Sequence, residues 1–286
     1  MSKNINGVIA AILAALFMGT MGIFSRKSGQ GAETVAFFRL FFGAAFLFFF
    51  ICISGRLGKI LKKPKWNVVF SGVMLAGLII FYTRAMNLTT LANAVMLLYL
   101  APLAASIFAH FFLKERLNRI SITLILLSLF GFAMMMEFRI DFSAGSDHLA
   151  GLVSGLFSMF CYATFIIINR TIDRQTDVFA SSFYQMTAGA GCLLPFFLFS
   201  LPAGFDPQWF WLVGAGFFPG FLGILLAVIA LKKLNATTFS TLAYLEPISV
   251  VMYGWFFFDE ALSLLQIAGC LLILSSSIVK TRTMSA

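Results

Sequence analysis

Ten separate runs of about 20 apolar residues dominate this chain, and about 20 is the length a helix needs to cross the hydrocarbon core of a bilayer. The runs fall near residues 7–24, 33–54, 67–84, 91–112, 119–137, 149–169, 178–200, 208–231, 237–258 and 262–280. They consume most of the 286 residues and leave only short loops, with no room for a separate soluble domain. Charged residues make up 11% of the chain, against roughly a quarter in soluble domains, so a soluble enzyme and a disordered chain are both excluded. The fold class is an all-α polytopic membrane protein of ten transmembrane helices. The first run has a single early charge, Lys3, and no persuasive cleavage site, so it reads as a retained helix and not a signal peptide.

The basic residues orient the bundle. With the N-terminus inside, the cytoplasmic segments hold Lys3, Arg56, Lys59, Lys62, Lys63, Lys65, Lys114, Arg116, Arg119, Arg170, Arg174, Lys232, Lys233, Lys280 and Arg282. The opposite side holds Arg26, Lys27, Arg84 and Arg139, and Arg39 lies within a span. Both termini are therefore expected in the cytoplasm. The net charge of +9 is a topology signal spread over many loops, and no nucleic-acid partner is expected. The Arg56–Lys65 segment is placed to meet membrane lipid, chiefly as ordinary positive-inside anchoring.

The chain also repeats itself. At a shift of 145 residues, Tyr99-Leu100-Ala101-Pro102 falls on Tyr244-Leu245-Glu246-Pro247, and Glu115 falls on Glu260. Phe111, Phe112, Leu117, Ile122, Leu126, Leu127 and Leu129 also match. Between Ala85 and Leu129 there are 13 identities in 45 ungapped positions. Gly7 pairs with Gly151 and Arg26 with Arg170 at a shift of 144, and Gly43 with Gly189 at 146. The repeats are expected over residues 1–142 and 143–286. Each holds five spans, and because five is odd the second copy enters the membrane from the other side. An inverted repeat offers two equivalent packings, one open to each side, with the substrate site near the midplane between the halves.

Two five-helix repeats, each with a Tyr-Leu-x-Pro helix running on to an acidic residue and Leu, resemble the drug/metabolite transporter superfamily, in its ten-helix EamA-type branch. The resemblance covers nearly the whole chain. It implies transport of small metabolites, with several bacterial members exporting amino acids. It also implies a central cavity lined by the first, third, fourth, sixth, eighth and ninth helices, with the fifth and tenth peripheral. The family pattern often has Glu before Pro in both repeats. Here Glu246 keeps it and Ala101 replaces it, which argues against two equivalent carboxylates.

Two charges lie inside spans, where each costs roughly 2.5–3.5 kcal/mol to insert. Glu246 precedes Pro247, which cannot donate a backbone hydrogen bond and loosens the helix. A carboxylate there suits a substrate ammonium or an exchanged proton; the plainer alternative is a protonated acid tying two helices together. Arg39 is suited to snorkelling, to pairing with an acid, or to holding a carboxylate by its planar fork. Its counterpart in the second repeat is Gln185, so this charge is asymmetric.

Tyr99, Ser106 and His110 share a helical face of the fourth span, and Thr237, Thr241, Tyr244 and Trp255 that of the ninth. Polar and aromatic side chains on one stripe suit a cavity for an amphipathic ligand, or else glue between helices. Glu115 and Glu260 are expected to cap the fifth and tenth helices through the helix dipole. Pro102 and Pro247 are expected as paired hinges, with Pro219 and Gly220 as a third flexible point in the eighth span. Gly216 and Gly220 form a small-xxx-small pair.

No P-loop, HExxH or GxSxG motif is present, so neither ATP hydrolysis nor familiar enzyme chemistry is expected. Cys52, Cys161, Cys192 and Cys270 lack metal-ligand spacing, and no metal or cofactor is expected. The combined reading is a secondary transporter of the bacterial inner membrane. It moves a small organic molecule, first an amino acid or similar compound, by alternating access. Export is favoured, proton coupling is open, and the chain is a monomer or homodimer. Uptake by the same fold is one rival, and a lipid-handling scaffold is another.

Overall fold

A computed structural model describes residues 2–61, 63–115, 118–139, 146–173, 175–200 and 207–285. Lys62, Arg116, Leu117, Arg174 and the expected boundary between residues 142 and 143 lie outside the described residues. Among the described residues, nine helices are long and apolar enough to cross a membrane: Ile5–Ser28, Ala32–Ile53, Trp66–Leu88, Asn93–Leu113, Asp147–Thr171, Val178–Phe199, Pro207–Lys233, Ala236–Phe258 and Leu264–Thr283. A shorter apolar helix, Arg119–Met135, completes ten in chain order as the fifth. No strand occurs among the described residues.

Packing follows an inverted two-fold pattern. The third span packs along the sixth, and the first along the eighth. The second meets the eighth as the seventh meets the third. The fourth meets the sixth as the ninth meets the first. Three pairs sit across the pseudo-axis itself: second with seventh, fourth with ninth, and fifth with tenth. The correspondence reaches single residues. A Cβ on Gly7 would strike Lys233 and Leu234 at 2.9 Å, and one on Gly151 would strike Leu88 and Thr89 at 2.8–2.9 Å. Both contacts obey the repeat shift. Absence of side chains at these points lets helices approach until backbone dispersion and weak hydrogen bonds hold them, which is how association proceeds where lipid is as apolar as leucine.

The fifth and tenth helices lie against each other, and Gly131 and Gly269 bring their carbonyls within 2.4–2.8 Å of a would-be Cβ. Asn118 caps the fifth helix by accepting from Ser121 N–H at 2.8 Å. In the tenth, Ser263 and Gln266 form a reciprocal capping pair. Glu115 and Glu260 therefore do not cap these helices. Nearer polar side chains satisfy the free amides, and the two carboxylates are engaged elsewhere.

Candidate functional site

Both signature helices break where proline requires it. The fourth span is interrupted at Tyr99 and Leu100, just before Pro102, and the ninth at Tyr244, just before Pro247. Each proline removes one N–H and crowds the carbonyl four residues back, so the helix breaks ahead of it and restarts with the proline in its first turn. The two breaks face each other across the pseudo-axis. Tyr244 Oη donates to the Tyr99 carbonyl at 2.7 Å, and the rings lie 6.2 Å apart. Tyr244 is fully buried, and both rings pack with Ile125, Phe132, Ile248 and Ile273 from the fifth, ninth and tenth helices. Tyr244 is thus a pillar between repeats and does not line a cavity. Its hydroxyl is used on a carbonyl of the opposite break.

The eighth span changes pitch instead of breaking. Gly216–Gly223 is a π-helix that accommodates Pro219. Its glycines press on the second span: a Cβ on Gly220 would stand 2.3 Å from the Arg39 carbonyl oxygen, and one on Gly216 would stand 2.2 Å from Phe42 Cβ. The mirrored crossing brings Gly72 of the third span against the Gln185 carbonyl, at 2.5 Å from a would-be Cβ. The Arg39–Gln185 correspondence therefore holds in space. Gln185 itself is buried in a polar network, donating to Asn169 Oδ1 at 2.9 Å and to Ser181 Oγ at 3.1 Å, while Asn169 donates to Ser71 Oγ at 2.8 Å and Gln185 Oε1 is left without a partner.

Arg39 has no such network. Its Nε is buried without a hydrogen-bond partner, while the side chain as a whole is only partly buried. Glu246 is likewise partly buried, and its charge acts on Arg39 with no direct salt bridge between the two among the described residues. Tyr82, Tyr99 and Tyr162 lie in the field of the same carboxylate. Five spans, the second, third, fourth, sixth and ninth, thus turn one guanidinium, one carboxylate and three phenols toward one interior region. Such a set offers one positive charge, one negative charge and aromatic surface in one neighbourhood. Tyr82 and Tyr162 are the members that sequence reasoning missed. A mid-span tyrosine hydroxyl was the available signal.

The other expected site residues lie apart. Ser106 and Thr241 are fully buried and donate to carbonyls one turn back, Pro102 and Thr237, each at 3.0 Å. Thr237 is buried as well. Trp255 is 58% exposed on the outside of the ninth span. It follows Glu246 by nine residues, which at 100° per residue is the opposite face. His110 is exposed at the helix end, its Nδ1 2.9 Å from the Glu115 carbonyl. These five side chains are buried along their own helices or face outward and do not join the Arg39–Glu246 cluster.

Two surface cavities are also separate from it. One of about 350 Å³ lies among loops at Lys59, Lys65, Asp173, Asp177 and Tyr184. The other, of about 450 Å³, is an apolar groove between the second and seventh spans, at Phe37, Phe41, Phe48, Phe183 and Leu194. No cluster of His, Cys, Asp and Glu suited to a metal is found among the described residues.

The sequence matches one transporter family twice, over residues 5–137 and 149–281, once per repeat. The chain belongs to the EamA-like transporter family. It is a multi-pass membrane transporter, and its relatives in this family are transporters too. An uncharacterized transporter of Archaeoglobus fulgidus is 30% identical over 96% of each chain. The pseudopaline exporter CntI of Pseudomonas aeruginosa is 25% identical over 97% of this chain and 96% of its own. The threonine/homoserine exporter RhtA of Salmonella typhimurium is 25% identical over 88% of this chain and 83% of its own. A solved crystal structure superposes over 98% of both chains with a TM-score of 0.87 at 19% identity, a likeness of fold.

Proposed function

We propose that this EamA-like transporter exports a small zwitterionic metabolite, an amino acid in the first instance, across the bacterial inner membrane. The observation that carries the proposal is the Arg39–Glu246 arrangement: opposite charges within each other's field, unpaired, at the meeting of five spans. A charge left unpaired away from bulk water is costly, and a ligand bearing the complementary charges removes that cost. Arg39 takes the carboxylate by its fork and Glu246 takes the ammonium. Tyr82 and Tyr162 flank the space between. Threonine and homoserine, named for one relative, carry this pair of groups.

Competition at Glu246 supplies coupling. The carboxylate holds either the substrate ammonium or a proton, so proton entry from one side and substrate exit to it alternate at a single group. The two repeats, residues 1–142 and 143–286, rock about the breaks at Pro102 and Pro247, and the pitch change around Pro219 and Gly220 absorbs the strain. Both termini lie in the cytoplasm, which places Glu115 and Arg170 on the inner face and Glu260 and Arg26 on the outer. The transported molecule and protons are the only ligands this scheme requires.

The test is counterflow in proteoliposomes with a panel of amino acids, their decarboxylated amines and their deaminated acids. Wild type should prefer molecules bearing both charges. Arg39→Gln should lose the preference for the carboxylate, and Glu246→Gln should lose both the amine preference and the dependence on a pH gradient. Folded variants with unchanged selectivity would overturn the reading.

A further inference from the structure

The repeat carries two Arg–Glu pairs that are images of each other, and the structure shows them in different states. Arg170 and Glu115 correspond to Arg26 and Glu260 under the repeat shift. The first pair is engaged. Arg170 Nε and Nη2 donate to Glu115 Oε1 at 3.0 and 2.8 Å, and Nη1 donates to the Leu231 carbonyl at 3.1 Å. Glu115 Oε2 accepts the Ala236 N–H at 2.9 Å, at the first residue of the ninth helix. One side-chain pair therefore ties the end of the sixth span, the loop after the fourth, the end of the eighth and the start of the ninth. Its side chains are only 16% and 10% exposed.

The second pair forms an ion pair but not a clamp. Arg26 meets Glu260 and lies 4.8 Å over the Phe258 ring, all within the first span and the segment that ends the ninth. Its side chains are 56% and 47% exposed. The repeat shift names the contacts it lacks. Leu231 maps onto Met86 and Ala236 onto Leu91. Leu91 begins the fourth helix, where the Thr90 side chain takes the Asn93 amide and leaves the first amides of that turn for another acceptor.

We infer that the two pairs are reciprocal latches. Glu115–Arg170 clamps its face in the present state. In the alternate state it releases Ala236 and Leu231, while Glu260 caps Leu91 and Arg26 bonds the Met86 carbonyl. The inference rests on the alternating-access reading above and adds the groups that hold each face shut. Four charge-assisted hydrogen bonds, mostly shielded from water, are a strong local bias. An exposed pair contributes little. The engaged and the loose pair thus differ in strength in the sense a switch requires.

Hydrogen–deuterium exchange on the full-length protein in lipid nanodiscs tests this without substrate. Glu115→Gln should speed exchange about tenfold or more across residues 231–240 and, in the same sample, slow it across 86–93. Adding Glu260→Gln should abolish that slowing. Arg170→Lys keeps the charge but loses the fork, and should move both segments the same way to a smaller degree. Faster exchange at 231–240 with no change at 86–93 would reduce Glu115 to a local cap and overturn the latch. Slowing at 86–93 that survives Glu260→Gln would overturn it as well. If Glu115→Gln also loosens the fifth–tenth helix pair, the variant is misfolded, and Arg170→Lys decides by the same two segments. These readouts do not depend on substrate identity, so transport can fail with the latches intact and the reverse.

Discussion

Replacing Gly220 with alanine adds one methyl where the eighth span meets the backbone of the second. The new Cβ would stand 2.3 Å from the Arg39 carbonyl oxygen, 3.2 Å from the Ala215 carbonyl oxygen and 3.3 Å from the Arg39 carbonyl carbon. Real Cβ contacts essentially never fall below 3.0 Å, so the helices must part by several tenths of an ångström. Both obstacles are backbone, and no rotamer relieves them. Parting also loosens Gly216 against Phe42, one turn away. Overpacking of this kind costs about 1–3 kcal/mol, and rigid neighbours put it toward the upper end. Gly191→Ala in the seventh span is the control. Nothing lies within 4 Å of its Cβ, and helix propensity alone gives about 0.5–1 kcal/mol of stabilisation. The assay is apparent melting temperature in detergent, with substrate affinity by counterflow. Gly220→Ala should melt several degrees lower and bind more weakly, because the displaced segment carries Arg39. Gly191→Ala should match or exceed wild type on both. A Gly220→Ala protein with wild-type melting and affinity would refute the claim that this contact positions Arg39.

Tyr244→Phe removes the donor to the Tyr99 carbonyl and leaves a buried acceptor unsatisfied, for about 1–3 kcal/mol, and a melting curve should show the loss with selectivity unchanged. Trp255→Leu should leave transport and selectivity at wild-type levels in counterflow, since the ring faces away from Glu246. Asp177 sits outside the spans at the start of the seventh helix. Its partial burial opposes ionisation, but the Lys59 ammonium and the Ala180 and Phe179 amides prevail and hold it below the usual carboxylate range. A lowered folded value means its contribution is complete above the ordinary carboxylate pKa and is lost as pH falls through the lowered one. Asp177→Ala should therefore cost about 1 kcal/mol as a lost cap near neutral pH, and the gap to wild type should close on acidification.

The spans, the inversion and the two helix breaks were legible because each rests on local chemistry. Run length reports a membrane crossing, an odd repeat reports inversion, and proline reports a break. Glu246 and Arg39 stood out because ionisable groups are expensive in hydrocarbon. Helical phase misled for Trp255, where nine residues reverse the face, and for Thr241 and Ser106, whose hydroxyls bond their own helix. Tyr82 and Tyr162 escaped because one phenol in an aromatic-rich span looks like core. The role of Glu115 was invisible for a stronger reason. It caps a helix 121 residues away in the chain, and no local pattern encodes that meeting.

The distribution of symmetry itself argues for the function. The features that set how helices approach come in pairs: Gly7 with Gly151, Pro102 with Pro247, the Arg39 and Gln185 carbonyls under their facing glycines, and the two Arg–Glu latches. The interior charges do not. Arg39 answers to Gln185, and Glu246 to Ala101. A frame that exchanges two equivalent packings has to be symmetric wherever packing decides the state. A ligand with a carboxylate at one end and an ammonium at the other has no two-fold axis, and a site that matches it has to break the symmetry. Each repeat supplies one charge of opposite sign, so under the proposed function a zwitterionic ligand would span the halves and both would move with it. Restoring symmetry tests the point: Ala101→Glu would place a second carboxylate opposite Glu246, and it should weaken zwitterion transport while favouring molecules with two amines. Unchanged preference for amino acids in Ala101→Glu would show that the asymmetry has no part in selection.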